Sequence, residues 1–149
     1  MKPVYQKIID VGRGDCFSAC LASLLEMPLE DVPNFRALET DNPNGDNMTK
    51  LACGWLHRHF NLSLITIYNG LELKTGADIR VTNAFPGTPC IACVKSPNFE
   101  NANHSVCGEI DEQGMNFVLT HDPNPNGKPI SSRPLFLQFL VPMKPIQFI

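Results

Sequence analysis

A cysteine, a histidine and an aspartate in this chain occur where their chemistry can combine. Cys16 opens the run CFSACLASLLE, in which apolar residues fall at 17, 20, 21, 24 and 25, the spacing of one buried helical face. A cysteine in the first turn of a helix lies beside backbone N–H groups that have no intrahelical acceptor, at the positive end of the helix dipole. Both features stabilise a thiolate and lower the thiol pKa from its free value of about 8.5. A thiolate is a nucleophile for acyl transfer, and that chemistry needs a histidine to carry the proton. His104 heads a run, HSVCGEI, that follows an Asn-rich and Pro-containing loop. Asp122, followed by Pro123, ends the next run, MNFVLTH at 115–121. The two runs flank the turn Asp111-Glu112-Gln113-Gly114 as hairpin strands do. The start of one hairpin strand lies opposite the end of the other, so His104 and Asp122 are predicted neighbours. A carboxylate there holds an imidazole in one tautomer and stabilises its protonated form. The plainer readings are a small buried thiol at 16 and a solvated loop carboxylate at 122.

These residues must be positioned by the elements around them. Asp15 or Gly14 is the predicted N-cap, with the Asp15 carboxylate turned toward backbone N–H groups and away from the sulfur. Pro28 stops the first helix. Leu29 to Phe35 reads as a short helical turn ending at Pro33, and DNPNGDN at 41–47 as a loop. A second helix is predicted from about Asn47 to Phe60, with Met48, Leu51, Ala52, Trp55, Leu56 and His59 on three-four spacing. LSLITIY at 62–68 and PCIACVK at 89–95 read as strands, the second one buried. LFLQFLV at 135–141 reads as a last strand or a buried segment, and 70–88 has no clear pattern. Helices first and antiparallel strands second predict an α+β architecture. The 149 residues suit one domain, 1–149, whose core needs no disulfide or metal.

Other residues offer competing chemistry. Cys90 and Cys93 have the spacing of half a zinc site, but their neighbours are apolar and strand-like, and no second close pair matches them. Buried strand cysteines are the expected reading. A redox CxxC would open a helix, which this one does not. His57 and His59 lie two apart on the predicted helix and face different sides, His59 as a half-buried core residue. His121 should point away from Asp122 and is the second choice for a catalytic histidine. Trp55, Leu51, Leu56 and Phe17 are expected in the core, Phe17 with a possible place along a cleft. Asn124 to Gly127 forms a loop beside the predicted triad.

Composition excludes several classes. The formal net charge is −3 and no run of Lys or Arg occurs, which argues against nucleic-acid binding by phosphate neutralisation. With 43% hydrophobic residues and so small a charge, disorder is not expected. No stretch approaches the roughly 18–20 apolar residues of a membrane span. The start, Met1-Lys2-Pro3-Val4-Tyr5-Gln6-Lys7, lacks a signal-peptide core. A cytoplasmic location follows as the expectation, with the six cysteines reduced.

Gly14-Asp15-Cys16-Phe17 opening a helix, His104 opening a strand with Val106 two residues on, and Asp122-Pro123 closing the next strand together resemble the papain-like cysteine peptidase superfamily. The resemblance is to its compact bacterial branch, the double-glycine leader peptidases of bacteriocin exporters. The chain is also similar to small uncharacterised phage and bacterial proteins carrying a Gly-Asp-Cys-Phe-x-Ala-Cys-x-Ala-Ser-Leu-Leu run and a Leu-Glu-Asp-Val-Pro-Asn-Phe segment, here 14–25 and 29–35. The resemblance covers 5–36 and 89–127. It implies a papain-like fold, a nucleophile-bearing helix packed on an antiparallel sheet. It makes Cys16 the nucleophile, His104 the general base and acid, Asp122 the orienting residue, and Gln6 an oxyanion donor together with the Cys16 N–H. Gln6 lies further upstream than is usual in papain-like enzymes, and Gly12-Arg13-Gly14 would loop out to absorb the difference. Asp15 departs from the papain pattern. The ovarian-tumour deubiquitinases share an Asp-Cys-Phe-like start but usually carry their histidine near the C-terminus, so a ubiquitin-like-tail protease ranks lower. The expected activity is a cysteine hydrolase, peptidase or amidase, working through an acyl-enzyme. No metal or organic cofactor and no nucleic-acid or membrane partner is expected. The substrate is a peptide, a protein or a small amide. The rival class is an inactive papain-like binding module or an inhibitor of a host system.

Overall fold

The apolar stripe that begins at Cys16 forms helix α1, Cys16–Leu25, in a computed structural model that describes residues 1–68, 86–114 and 116–143. Ala19, Cys20, Ala22 and Ser23 on this helix are wholly buried with Leu21. Small side chains let the helix approach the sheet closely, and the Cys107 thiol reaches the Cys20 carbonyl at 3.8 Å. A 3₁₀ turn, Leu29–Asp31, leads to helix α2, Phe35–Asp41. The sequence pattern predicts a turn ending at Pro33 and a loop from 41, and α2 between them is a departure from it. Its start is set by Asn34, whose side chain accepts the Ala37 N–H at 3.1 Å. Phe35 is buried edge-on against Phe17 and Trp55, with ring centres 6.3 and 5.8 Å away. Helix α3, Met48–Phe60, begins with Asn47 capping the Lys50 N–H.

Five strands follow: β1 Leu62–Tyr68, β2 Pro89–Lys95, β3 Asn103–Ile110, β4 Phe117–His121 and β5 Phe136–Pro142. They form one sheet in the order β1-β5-β2-β3-β4, and every pairing of these strands is antiparallel. Among the described residues the architecture is α+β, three helices and a five-stranded antiparallel sheet. Helix α1 lies on β2 and β3, α3 lies on β1, and α2 packs on α3. Strand β2 is buried on both faces. Ile91 joins the core under the helices, and Cys90, Ala92 and Val94 join a second cluster with Val106, Leu137 and Phe139. The expected strands at 62–68, 89–95 and 104–110 match closely, and the segment expected at 135–141 is the strand β5, Phe136–Pro142. Met115, expected to begin β4, and most of the patternless 70–88 stretch lie outside the described residues. His59 departs from expectation: it is exposed, its ring 5.7 Å from that of Trp55. Among the described residues no helix is long and apolar enough to cross a membrane.

The β3–β4 hairpin contains one irregularity that matters for the site. Ile110, Glu109 and Gly108 pair with Phe117, Val118 and Leu119, but Cys107 pairs with His121. Thr120 is the extra residue of a β-bulge, and its hydroxyl donates to the Cys107 carbonyl at 3.3 Å. The bulge turns His121 to the Cys107 face and sends the next residue, Asp122, the other way, toward His104. Gly108 makes the close crossing possible, because a Cβ there would lie 2.3 Å from the Phe117 ring and from the Val118 carbonyl oxygen. Gly108→Ala should therefore destabilise the fold by about 1–3 kcal/mol, read as a lower urea midpoint. An unchanged midpoint would mean that β4 shifts aside freely.

Candidate active site

Cys16 is the first residue of α1 and is half-exposed. His104 lies buried at the start of β3, and Asp122 lies one step past the end of β4. The His104 Nε2 and Asp122 Oδ1 are 2.7 Å apart. That contact occupies Nε2 and leaves Nδ1 as the ring nitrogen for Cys16, which lines the same cavity as His104. Asp122 is itself fixed by the Asn124 N–H, donated at 2.9 Å. The three residues singled out in the sequence are thus brought together.

Electrostatics favour a thiolate–imidazolium pair. Burial pushes the Cys16 thiol up, but the hydrogen bond and charge of His104, with the N–H and hydroxyl of Ser105, outweigh it and bring the thiol below its ordinary value. Burial works against the imidazolium too, yet the bonds to Asp122 and Cys16 raise the His104 pKa from 6.5 to about 9. Asp122 is pushed up by partial burial and brought lower by the His104 bond and the Asn124 N–H, ending below the usual carboxylate value. Ser105 is absent from the sequence reading. Strand alternation turns it away from His104, and only the fold reveals that it faces the sulfur.

Gln6 is buried and shares a cavity of about 30 Å³ with Cys16, His104 and Asn124, enough for about one or two waters. Its Nε2 donates to the Ile8 carbonyl at 3.0 Å. Its Oε1 is buried with no hydrogen-bond partner among the described residues, an arrangement that costs about 1–3 kcal/mol in a merely structural side chain. Asp15 occupies the N-cap position but makes no cap bond to its own helix, contrary to the expected capping role. Its Oδ1 instead accepts the Lys7 and Ile8 N–H groups at 3.0 and 2.9 Å.

The expected loop-out at Gly12-Arg13-Gly14 is present as a turn, and α2 pins it. Thr40 donates to the Gly12 carbonyl at 2.5 Å, Asn34 to the Arg13 carbonyl at 2.9 Å, and Arg36 to the Val11 carbonyl at 3.3 Å. Arg13 also pairs with Asp41. At Gly14 a Cβ would meet the Asp10 carbonyl oxygen at 2.3 Å, so glycine is required before Asp15 and Cys16. A larger cavity of about 330 Å³ opens beside Cys16 between Val11, Phe17, Arg36, Met48 and Phe136. It runs past Met48 and Gln138 into a groove reaching Lys50 and Thr66. Phe17 belongs to the core and also lines this cavity.

The remaining candidates lie elsewhere. Cys90 and Cys93 project to opposite faces of β2, Cys90 into the second core cluster and Cys93 into the cavity of Cys16. Burial pushes their thiols up to about 12 and about 11, aided at Cys93 by the Cys16 charge. All six cysteines are free. Among the described residues no group of three or more His, Cys, Asp or Glu side chains is arranged to hold a metal ion. His121 lies 2.7 Å, through Nε2, from the Val4 carbonyl and packs on the Tyr5 ring; it holds the N-terminal segment. No protein-family model and no curated protein matches the chain.

A pH series of alkylation tests the ion pair. Only the thiolate reacts, so a depressed pKa keeps Cys16 reactive at a pH where Cys20, Cys90 and Cys93, whose thiols burial pushes up, stay protonated. Iodoacetamide should modify Cys16 ahead of these three at neutral pH. His104→Ala removes the cation that favours the thiolate and should move the Cys16 midpoint to higher pH. An unmoved midpoint would show that the two side chains are not coupled.

Proposed function

We propose that this chain is a papain-like cysteine hydrolase, a peptidase or amidase. One observation carries the reading: a thiol at a helix start shares a cavity with an imidazole whose far nitrogen is held 2.7 Å from a half-buried carboxylate. The Cys16 thiolate attacks the carbonyl carbon of a peptide, protein or small amide. The carbonyl π electrons move to oxygen. The Cys16 N–H, one of the donors a helix start leaves without an intrahelical acceptor, and the second Nε2 hydrogen of Gln6 stabilise that oxyanion. The imidazolium of His104 gives its proton to the leaving amine, and the C–N bond breaks to leave a thioester on Cys16. His104, now neutral, takes a proton from water as water attacks the thioester. The Cys16 thiolate departs, the acid is released, and the ion pair is restored. Asp122 keeps the ring oriented and its cation stabilised throughout. The cavity beside Cys16 and the groove leading from it give an extended acyl chain room to lie. Six free cysteines suit a reducing compartment, and the cytoplasm is the proposed location.

The test uses p-nitrophenyl acetate. Wild-type protein should release a burst of nitrophenol and carry an acetyl group on Cys16, seen by mass spectrometry. Cys16→Ala should abolish both, and Asp122→Asn should lower kcat by up to about 10⁴-fold. With a peptide p-nitroanilide, whose leaving amine needs a proton, turnover should appear as pH rises through the lowered Cys16 pKa and fall again near pH 9, where His104 loses the proton it donates. No acyl-enzyme, with slow and uniform alkylation of the cysteines, would replace the hydrolase by a binding module.

A further inference from the structure

We infer that Asp15 is a positioning residue that sets the Gln6 amide over the Cys16 sulfur. The inference rests on the hydrolase reading, since it concerns that reaction's oxyanion. Asp15 and Ile8 hold each other by two bonds: the Ile8 N–H donates to Asp15 Oδ1 at 2.9 Å, and the Asp15 N–H donates to the Ile8 carbonyl at 3.3 Å. The same Ile8 carbonyl accepts Gln6 Nε2 at 3.0 Å. Ile8 therefore links the residue before the nucleophile to the Gln6 amide. The Lys7 N–H on the same carboxylate oxygen at 3.0 Å keeps the segment from pivoting. The Gln6 N–H donates to the Pro123 carbonyl at 2.9 Å, which registers the amide against the loop that carries Asp122. Both donors on the Asp15 Oδ1 come from the upstream segment, and the Asp15 side chain makes no cap bond to α1. Gln6 lines the same small cavity as Cys16 and His104, which is independent support for the placing of its amide there.

A mutant cycle tests this with p-nitrophenyl acetate turnover, Cys16 alkylation against pH, and NMR of the Gln6 side-chain amide. Gln6→Ala should lower kcat about 10²–10³-fold with KM little changed. Asp15→Ala should lower it similarly, and the double variant should be no slower than the worse single one. Asp15→Asn retains an acceptor for both N–H groups and should stay within a few-fold of wild type. In Asp15→Ala the distinct Gln6 amide signals should average while the alkylation midpoint of Cys16 stays in place. Independent, multiplicative losses from Asp15→Ala and Gln6→Ala would overturn the inference. So would a folded Asp15→Asn as slow as Gln6→Ala, which keeps the test decisive even where Asp15→Ala fails to fold. A wild-type protein without turnover defeats the hydrolase reading instead, and the Gln6 amide signals then judge the link to Asp15 by themselves.

Discussion

The 2.7 Å contact between His104 and Asp122 sets the charge state of everything near it. Burial opposes the ionised form of Cys16, His104 and Asp122 alike. The carboxylate retains its charge because the imidazole and the Asn124 N–H hold it. The imidazole holds its proton more tightly because of the carboxylate and Cys16, and the Cys16 thiol gives up its proton more readily because of the imidazole. Raising the His104 pKa from 6.5 to about 9 corresponds to about 3 kcal/mol between its two protonation states. Loss of His104 therefore removes the partner that offsets desolvation at both Cys16 and Asp122.

A second dependence runs through the backbone from Lys2 to Ile8, with which no strand pairs among the described residues. Buried backbone groups still need partners, and side chains supply many of them. The Val4 N–H donates to Ser23 Oγ at 2.9 Å, and the Val4 carbonyl lies 2.7 Å from His121 Nε2. The Lys2 and Gln6 N–H groups find the Ser23 and Pro123 carbonyls, and those of Lys7 and Ile8 find Asp15. Ser23, a polar residue wholly buried in an apolar helix, has its explanation here, as do Asp15 and His121. The segment is thereby registered against α1 and against the end of β4, the two elements that carry Cys16 and Asp122.

Much of this was legible in the residue pattern. The helix at Cys16 followed from apolar spacing and from Pro28, and the β3–β4 hairpin from alternation around a turn, which put His104 beside Asp122. What escaped detection depends on contacts distant in sequence. Helix α2 is short, begins just after Pro33 and is stabilised by packing of Phe35 on Phe17 and Trp55. Asp15 carries the sequence signature of an N-cap, and nothing local reveals that its partners lie seven and eight residues upstream. Ser105 neighbours His104 in a strand, so alternation assigns it to the wrong side. His59 falls on the helical stripe but near the end of α3, where the core no longer covers it.

The extra residue at Thr120 imposes a parity on the chain. His121 and Asp122 are adjacent and have opposite duties, one facing the N-terminal segment and the other facing the imidazole. Lengthening the turn between β3 and β4 leaves their assignment intact, because strand pairing fixes each side. In a regular register Thr120 would pair with Cys107, and His121 and Asp122 would exchange faces, carrying a ring to the carboxylate's place and a carboxylate to the ring's. The tip of the hairpin is thus free to change length, whereas its stem is bound to the one irregularity that fixes these two faces.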